Sequence, residues 1–216
     1  MSKKRILFIR HGKTEWNEQS RFQGMTDIPL DDDGRKQARL VSARLKSWEP
    51  HAIFSSPLSR ARETAAEIAA AHEALALVLL DGLAEMGFGE WEGRTIRDVL
   101  AKEEDVFREW RRSPFEAPPP GGEVYQSVEL RVRAALDRIM SAEGERVVAV
   151  SHGGIIRAAL ALLFDISPAA TWRMKIGNCS VTAIDMDNRG ISLAFLNDCI
   201  HTELPEEEAG GLNFPV

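Results

Sequence analysis

Ile6-Leu7-Phe8-Ile9-Arg10-His11-Gly12-Lys13-Thr14-Glu15-Trp16-Asn17 is the stretch whose reading decides the fold. Four apolar residues in a row, between Lys3-Lys4-Arg5 and a polar cluster, predict a short strand buried on both faces, because a half-exposed strand would alternate. Buried strands of this kind belong to open α/β sheets, which bind ligands beyond the carboxyl ends of their strands. Arg10 and His11 stand at that end. Arginine forks onto phosphate or carboxylate oxygens, and a histidine beside it can be nucleophile, proton carrier or metal ligand. The dipeptide alone fits a surface ion pair and a structural histidine equally well, so its meaning depends on partners elsewhere in the chain.

The segments that follow alternate between strand and helix patterns. Arg21 to Leu30 has neither period and carries Gly24 and Pro29, which predicts a loop long enough to cover a neighbouring site. Asp31 begins a helix through about Ser47, with Ala38, Val41 and Leu45 on one face. Ala52-Ile53-Phe54 is a second strand, and Ser55-Ser56-Pro57 opens an Ala-rich helix with Pro57 in its first turn. Arg60 and Arg62 on that helix lie about 200° apart, so only one can face a site. Leu75 to Leu80 is a third strand. It leads into a loop whose glutamates, Glu85, Glu90 and Glu92, compete for any acid or base role. Thr95 to Trp110 reads as one helix, ended by Arg111 to Glu123 with its triple proline and paired glycines. Residues 86 to 125 thus interrupt the alternation and predict a cap over the ligand edge. Arg94, Arg97, Arg111, Arg112 and Glu123 are its candidate substrate contacts.

Val124 to Ala142 is amphipathic, with Val128, Val132, Ala135, Leu136 and Ile139 inward. Arg146 to Val150 is another continuous apolar strand, and Ser151-His152-Gly153-Gly154 joins it to a helix from Ile155 to Phe164. Strand, His-Gly-Gly, helix suits an anion: glycines admit close backbone approach, and the helix start offers free N–H groups. A hairpin, Ser180 to Asp185 and Ile191 to Leu196, turns at Asp187 to Gly190. The tail from about 205 to 216, with Glu206-Glu207-Glu208, is predicted to be mobile.

Composition narrows the function class. The 216 residues, 44% hydrophobic and 28% charged, are those of an ordinary soluble globular protein. Lys and Arg number 27 against 33 acidic residues, for a net charge of -6, which argues against broad binding to nucleic acid or anionic membranes. No apolar run approaches the ~20 residues of a membrane span. Met1 to Arg5 enters the first strand without a signal-type apolar run, which predicts a cytoplasmic protein. Cys179 and Cys199 have neither disulfide-framework nor metal-site spacing and read as free thiols. His51 and His72 read as surface residues without partners.

Two strand-end histidines, a helix-start arginine and a loop glutamate each suit one part of phosphoryl transfer, and together they resemble the histidine phosphatase superfamily, the family of cofactor-dependent phosphoglycerate mutases and their phosphatase relatives. Arg10-His11-Gly12-x-Thr14-x-x-Asn17 resembles its signature, with Gln23-Gly24 in the loop that follows. Ser55-Ser56-Pro57-Leu58-Ser59-Arg60-Ala61 resembles its second arginine motif and selects Arg60 over Arg62. Glu85, before Gly87-Phe88-Gly89-Glu90-Trp91-Glu92-Gly93, resembles its acid, and Ser151 to Gly154 its second histidine motif. The resemblance runs in order from residue 6 to about 201. It implies one α/β domain over 1–216, a three-layer α/β/α sandwich with a mostly parallel sheet and a helical and loop cap insertion.

What the resemblance implies for chemistry is specific. His11 would form a phosphohistidine. Arg10, Arg60 and His152, with Asn17, Gln23, Gly24 and the Gly153 backbone, would bind the phosphate, and Glu85 would act as general acid and then base. No metal or other cofactor is implied. The partner is a small-molecule phosphate ester, and a homodimer is left open. Pro120-Gly121-Gly122-Glu123, Asn197-Asp198-x-x-His201 and the short insertion between Glu85 and His152 resemble the phosphatase branch, which includes α-ribazole and broad-specificity phosphatases. Val124 departs from it where serine usually follows the glutamate, and Trp110-Arg111-Arg112-Ser113 resembles the mutases' substrate segment instead. The alternatives are therefore a phosphoglycerate mutase, a non-catalytic phosphate-binding module, and a metal-dependent hydrolase using His11, His152, Asp198 and His201, which arginines beside the proposed ligands disfavour.

Overall fold

The computed structural model describes residues 3–72, 75–114 and 116–214; Phe115 of the cap and Pro215 and Val216 of the tail lie outside them. In chain order the elements are β1 (Lys4–Arg10), α1 (Glu15–Glu18), α2 (Asp32–Leu45), β2 (Ala52–Ser55), α3 (Ser59–Ala70) and β3 (Leu77–Leu79). There follow α4 (Ile96–Lys102), α5 (Glu104–Arg112), α6 (Tyr125–Met140), β4 (Arg146–Ser151), α7 (Gly153–Phe164) and α8 (Pro168–Thr171), then β5 (Val181–Asp187), β6 (Gly190–Asp198) and α9 (Glu206–Ala209). One six-stranded sheet runs β3-β2-β4-β1-β5-β6. The pairs β2–β3, β2–β4 and β1–β4 are parallel, while β5 is antiparallel to both of its neighbours.

The continuous apolar strands serve two cores. Ile6 and Phe8 of β1 and Val147 and Ala149 of β4 point into one core with α6, α7 and the cap aromatics. Leu7, Ile9, Val148 and Val150 point into the other, against α2 and α3. Residues that alternate across a strand are thus apolar on both faces because helices cover both. This is the three-layer α/β/α arrangement expected of these strands.

Several boundaries move for visible reasons. Only Leu77, Val78 and Leu79 pair with β2, so the third strand is shorter than Leu75 to Leu80. The helix expected over Thr95 to Trp110 is two helices. Glu103 leaves helical geometry (φ -139°, ψ 45°) as its carboxylate accepts from Trp91 Nε1 at 2.8 Å and pairs with Arg94. Pro57 precedes α3 instead of sitting in its first turn, and the start of that helix is held by Asp27, whose Oδ1 accepts from the Ser59 N–H at 2.7 Å. In the tail, whose glutamates predict mobility, Ala209 is fully buried and Phe214 stacks on Phe195, its centroid 4.2 Å from the Arg44 guanidinium. Two apolar residues beyond the glutamate run give this segment something to bury. His51 has partners after all: its Nδ1 accepts from the Glu145 and Arg146 N–H groups at 3.0 and 3.1 Å, at the start of β4.

Candidate active site

Strand register brings the two histidines together. Arg10 of β1 pairs with Ser151 of β4, so His11 and His152 lie one residue beyond matched strand ends. The His11 N–H bonds the Ser151 carbonyl at 2.9 Å, and the imidazole centroids are 5.0 Å apart. β2 adds Ser56, whose N–H bonds the Val150 carbonyl, and four residues later α3 presents Arg60. Arg60 is fully buried and Arg62 exposed, so the helix face resolves the choice between them. A cleft of about 130 Å³ opens here, lined by Arg10, His11, Asn17, Arg21, Phe22, Gln23, Gly24, Arg60, Glu85 and Phe88.

His11 is oriented by its neighbour. Its Nδ1 lies 2.7 Å from the Gly12 carbonyl, which has no proton to give, so Nδ1 carries the proton and Nε2 keeps its lone pair. Burial, Arg60 and Arg10, in that order, hold its pKa well below the usual histidine value. His11 is thus a neutral imidazole with a free nitrogen in a site rich in positive charge.

His152 stands behind this front row. The Arg60 Nε–H donates to its Nδ1 at 3.3 Å, which leaves the proton on Nε2, 2.8 Å from Ser56 Oγ. Both nitrogens are engaged, and neither His152 nor Gly153 lines the cleft, although the sequence motif put both against the phosphate. Burial first and then Arg60 keep His152 neutral, its pKa well below the usual value. Arg60 also donates to the Thr26 carbonyl at 2.9 Å and the Gly24 carbonyl at 2.8 Å. Arg10 donates to the Ile176 carbonyl at 2.8 Å, and its buried Nε has no hydrogen-bond partner among the described residues.

The Glu85 carboxylate accepts from the Met86 N–H at 3.0 Å and the Gly154 N–H at 3.3 Å. The start of α7, expected to cradle an anion, therefore holds this carboxylate. Gly154 permits the approach, since a Cβ there would lie 2.5 Å from Glu85 Oε1. Asn17 closes a capping box with Thr14 that occupies its Oδ1 and leaves its amide nitrogen for a ligand. Gln23 is buried, and its Oε1 has no hydrogen-bond partner among the described residues.

Sequence reasoning passed over Arg21, Phe22 and Phe88, which line the cleft, and two residues behind it. Asn178 donates to the His11 and Gly12 carbonyls at 3.1 and 3.2 Å. Arg157 donates to the Gly153 and Met174 carbonyls, both at 2.9 Å, and burial with some help from Arg10 pushes its pKa down to about 10. Its signal was visible, since it is the one charged residue in the apolar run of α7. The cap candidates divide. Glu123 chelates Arg131 through two 2.8 Å bonds, Arg94 pairs with Glu103, and Arg97 is exposed on α4. Arg111 and Arg112 line a separate cavity of about 730 Å³ with Trp110, Trp172 and Arg173.

Asp198 and His201 have a different task from the one a metal site would give them. Asp198 Oδ2 accepts from Arg44 at 2.7 Å, and the other guanidinium arm lies 3.1 Å from His201 Nδ1. His201 Nε2 then donates to the Cys179 carbonyl at 3.0 Å, and the Cys179 N–H bonds the His11 carbonyl. Burial and Arg44 push the His201 pKa down to about 4. This cluster supports the backbone behind His11. Among the described residues no helix is long and apolar enough to cross a membrane.

Comparison with known proteins agrees with this geometry. The model of the histidine phosphatase superfamily, branch 1, matches residues 6–199. Phosphoserine phosphatase 1 of Hydrogenobacter thermophilus is 33% identical over 198 residues, 91% of this chain and 93% of that protein. A "Probable phosphoglycerate mutase GpmB" of Photorhabdus laumondii is 34% identical over 185 residues, 83% of this chain and 84% of that protein. The solved structure of mycobacterial glucosyl-3-phosphoglycerate phosphatase superposes with a TM-score of 0.81 at 29% identity, covering 91% of this chain and 99% of that one. The chain belongs to the histidine phosphatase superfamily, branch 1, and is a phosphatase enzyme.

Proposed function

We propose that this enzyme hydrolyses phosphomonoesters of small metabolites through a phosphohistidine at His11, without a metal ion and in the cytoplasm. One observation carries the reading: the unprotonated Nε2 of a neutral imidazole stands in a small cleft with the Arg10 and Arg60 guanidinium groups and the Glu85 carboxylate. In the first step Nε2 attacks phosphorus and the P–O bond to the leaving group breaks as Glu85 delivers a proton to the departing oxygen. In the second, water attacks phosphorus as Glu85 takes its proton, the N–P bond breaks, and inorganic phosphate leaves. Arg10, Arg60 and the Asn17 amide offset charge on the phosphoryl oxygens, and a cation at about 4 Å is worth roughly 4 kcal/mol at an effective dielectric of 20. In this reading His152 acts through Arg60, which it holds from behind.

The names of the relatives define the substrate panel: phosphoserine, 3-phosphoglycerate and glucosyl-3-phosphoglycerate, with p-nitrophenyl phosphate as a generic ester. The expected outcome is phosphate release with at least one of these in excess chelator, and an acid-labile, base-stable phosphoenzyme trap that disappears in His11→Ala. A labelled intermediate surviving in His11→Ala, or loss of activity in chelator, would refute the mechanism. The mutase reading, which the GpmB-type relative keeps in view, predicts isomerised product and dependence on bisphosphoglycerate instead.

A further inference from the structure

Glu92 lies outside the cleft, yet its carboxylate ties together two of the loops that build it. Oε1 accepts from the Met25 and Phe88 N–H groups, both at 3.0 Å. Oε2 accepts from the Thr26 N–H at 3.0 Å and the Thr26 hydroxyl at 2.5 Å. Four donors surround one carboxylate, and among the described residues no cation pairs with it. The same segment turns its carbonyls the other way, Gly24 and Thr26 each accepting from Arg60. The Gly24–Met25 peptide is therefore shared: its carbonyl meets the guanidinium and its N–H meets the carboxylate. Positive and negative groups sit at opposite ends of one peptide dipole, an ion pair with a peptide between its members.

This geometry is built in. Gly24 has φ +54°, and a Cβ there would fall 2.0 Å from Glu92 Oε1, so any other residue would displace the carboxylate. Phe88 lines the cleft and follows Glu85 by three residues, so Glu92 also sets the distance between the Gly24 loop and the loop carrying the acid. Hydrogen bonds from N–H groups to a charged acceptor are the strong ones, and their loss leaves donors unpaired.

We propose that Glu92 is a positioning residue for phosphoryl transfer: it fixes the Gly24–Thr26 peptides against which Arg60 is aligned, and so sets where the Arg60 guanidinium meets the phosphoryl group. The inference rests on the reading of Arg60 as a phosphate-holding group. A misplacement of about 1 Å in such a group costs on the order of 100-fold in rate.

The test is Glu92→Gln, which turns one of the two acceptor oxygens into a donor facing the loop N–H groups. With p-nitrophenyl phosphate, kcat is expected to fall about 10- to 100-fold with KM changed less than about 3-fold, because the lost alignment matters most in the transition state. Inhibition by orthovanadate, which mimics that state, should weaken by a similar factor, while inhibition by inorganic phosphate changes little. A folded Glu92→Gln enzyme with a lowered thermal midpoint but unchanged kcat and vanadate inhibition would overturn the proposal, since that is what a purely structural role gives. If Glu92→Gln does not fold, Thr26→Val removes one of the four donors and keeps the carboxylate. A loss of a few-fold in the same two readouts supports the proposal, and none overturns it. Failure of the wild-type enzyme to release phosphate would instead refute the functional reading beneath it.

Discussion

Arg60 is the residue on which most of the site converges, and replacing it by methionine separates its roles. Methionine approximates the length of the side chain and removes its charge and all of its donors. Three acceptors now served by the guanidinium, His152 Nδ1 and the carbonyls of Gly24 and Thr26, would lose it. Unpaired buried acceptors cost about 1–3 kcal/mol each before water or rearrangement relieves them, so a net loss of roughly 3–5 kcal/mol is expected. At about 2–4 °C per kcal/mol for a chain of this size, the thermal midpoint should fall by roughly 10 °C. The catalytic loss is estimated separately. A cation about 4 Å from the transferring phosphoryl group contributes roughly 4 kcal/mol at an effective dielectric of 20, which corresponds to about 1,000-fold in kcat.

The distinctive prediction concerns pH. Burial and then Arg60 depress the His11 pKa, and His11 must be neutral to attack. Without the Arg60 charge that pKa rises toward its ordinary value, so protonated His11 persists to higher pH and the acid limb of kcat/KM moves upward. Arg60→Lys keeps a cation and loses the fork, so its acid limb should stay near that of the wild type while kcat still falls. The assay is kcat/KM for p-nitrophenyl phosphate across pH 4 to 8 for the three enzymes, in which ionisation of the substrate is common to all. An unmoved acid limb in Arg60→Met, or one displaced to lower pH, would refute the electrostatic account of His11. A loss under about 10-fold in kcat would refute the placement of Arg60 against the phosphoryl group.

Glu85→Gln should slow esters of poor leaving groups by a factor at least about 100 greater than it slows p-nitrophenyl phosphate, because nitrophenolate departs without a proton; equal losses in steady-state kinetics would count against the general-acid role. His201 has a folded pKa of about 4 against about 6.5 when unfolded, so the unfolded chain takes up the proton first as pH falls. Stability that is full above pH 6.5 is therefore lost on the way down to pH 4, by roughly 3 kcal/mol from this group. Urea unfolding of His201→Gln between pH 4.5 and 7 should show a shallower dependence, by up to about 1.4 kcal/mol per pH unit, with His11 and His152 sustaining the remainder. Glu103→Gln weakens the acceptor at the break between α4 and α5 and should lower the thermal midpoint by roughly 2–6 °C, about 1–2 kcal/mol, with kcat little changed.

The sheet was legible because burial on both faces leaves a run of apolar residues, and β1, β2 and β4 show that run within a residue or two of their observed limits. Sites at strand ends were legible for the same reason: once β1 and β4 are parallel neighbours, the polar residues that follow each must meet. What stayed hidden depends on contacts between segments far apart in the chain. Nothing local to Thr95–Trp110 reports that Glu103 will break the helix, because its partner is the indole of Trp91, twelve residues away and folded back. Phe22 and Phe88 carry no chemical signature, and they meet at the cleft from segments far apart in the chain, packed ring against ring with centroids 5.1 Å apart. The α7 start was recognised as an anion site, but nothing local showed that its Gly154 N–H would hold the Glu85 carboxylate, 69 residues back in the chain.

That occupant bears on how the site is divided. A free helix terminus, two arginines and a histidine could all compete to bind phosphate, and a phosphate held equally by all of them would be stabilised in the ground state as much as in the transition state. Here the helix terminus is turned to the acid. The Gly154 N–H holds the Glu85 carboxylate, and both His152 nitrogens are engaged, one by Arg60 and the other by Ser56. The groups facing the cleft include those the proposed phosphoryl transfer would need there: a neutral nitrogen with a lone pair, the Arg10, Arg21 and Arg60 cations, and a carboxylate. The two histidines are alike in burial and in depressed pKa, but their hydrogen bonds place the proton on opposite nitrogens, Nδ1 in His11 and Nε2 in His152. That difference in tautomer, set by the Gly12 carbonyl in one case and the Arg60 Nε–H in the other, is what fits His11 for the nucleophilic role proposed for it and His152 for a supporting one.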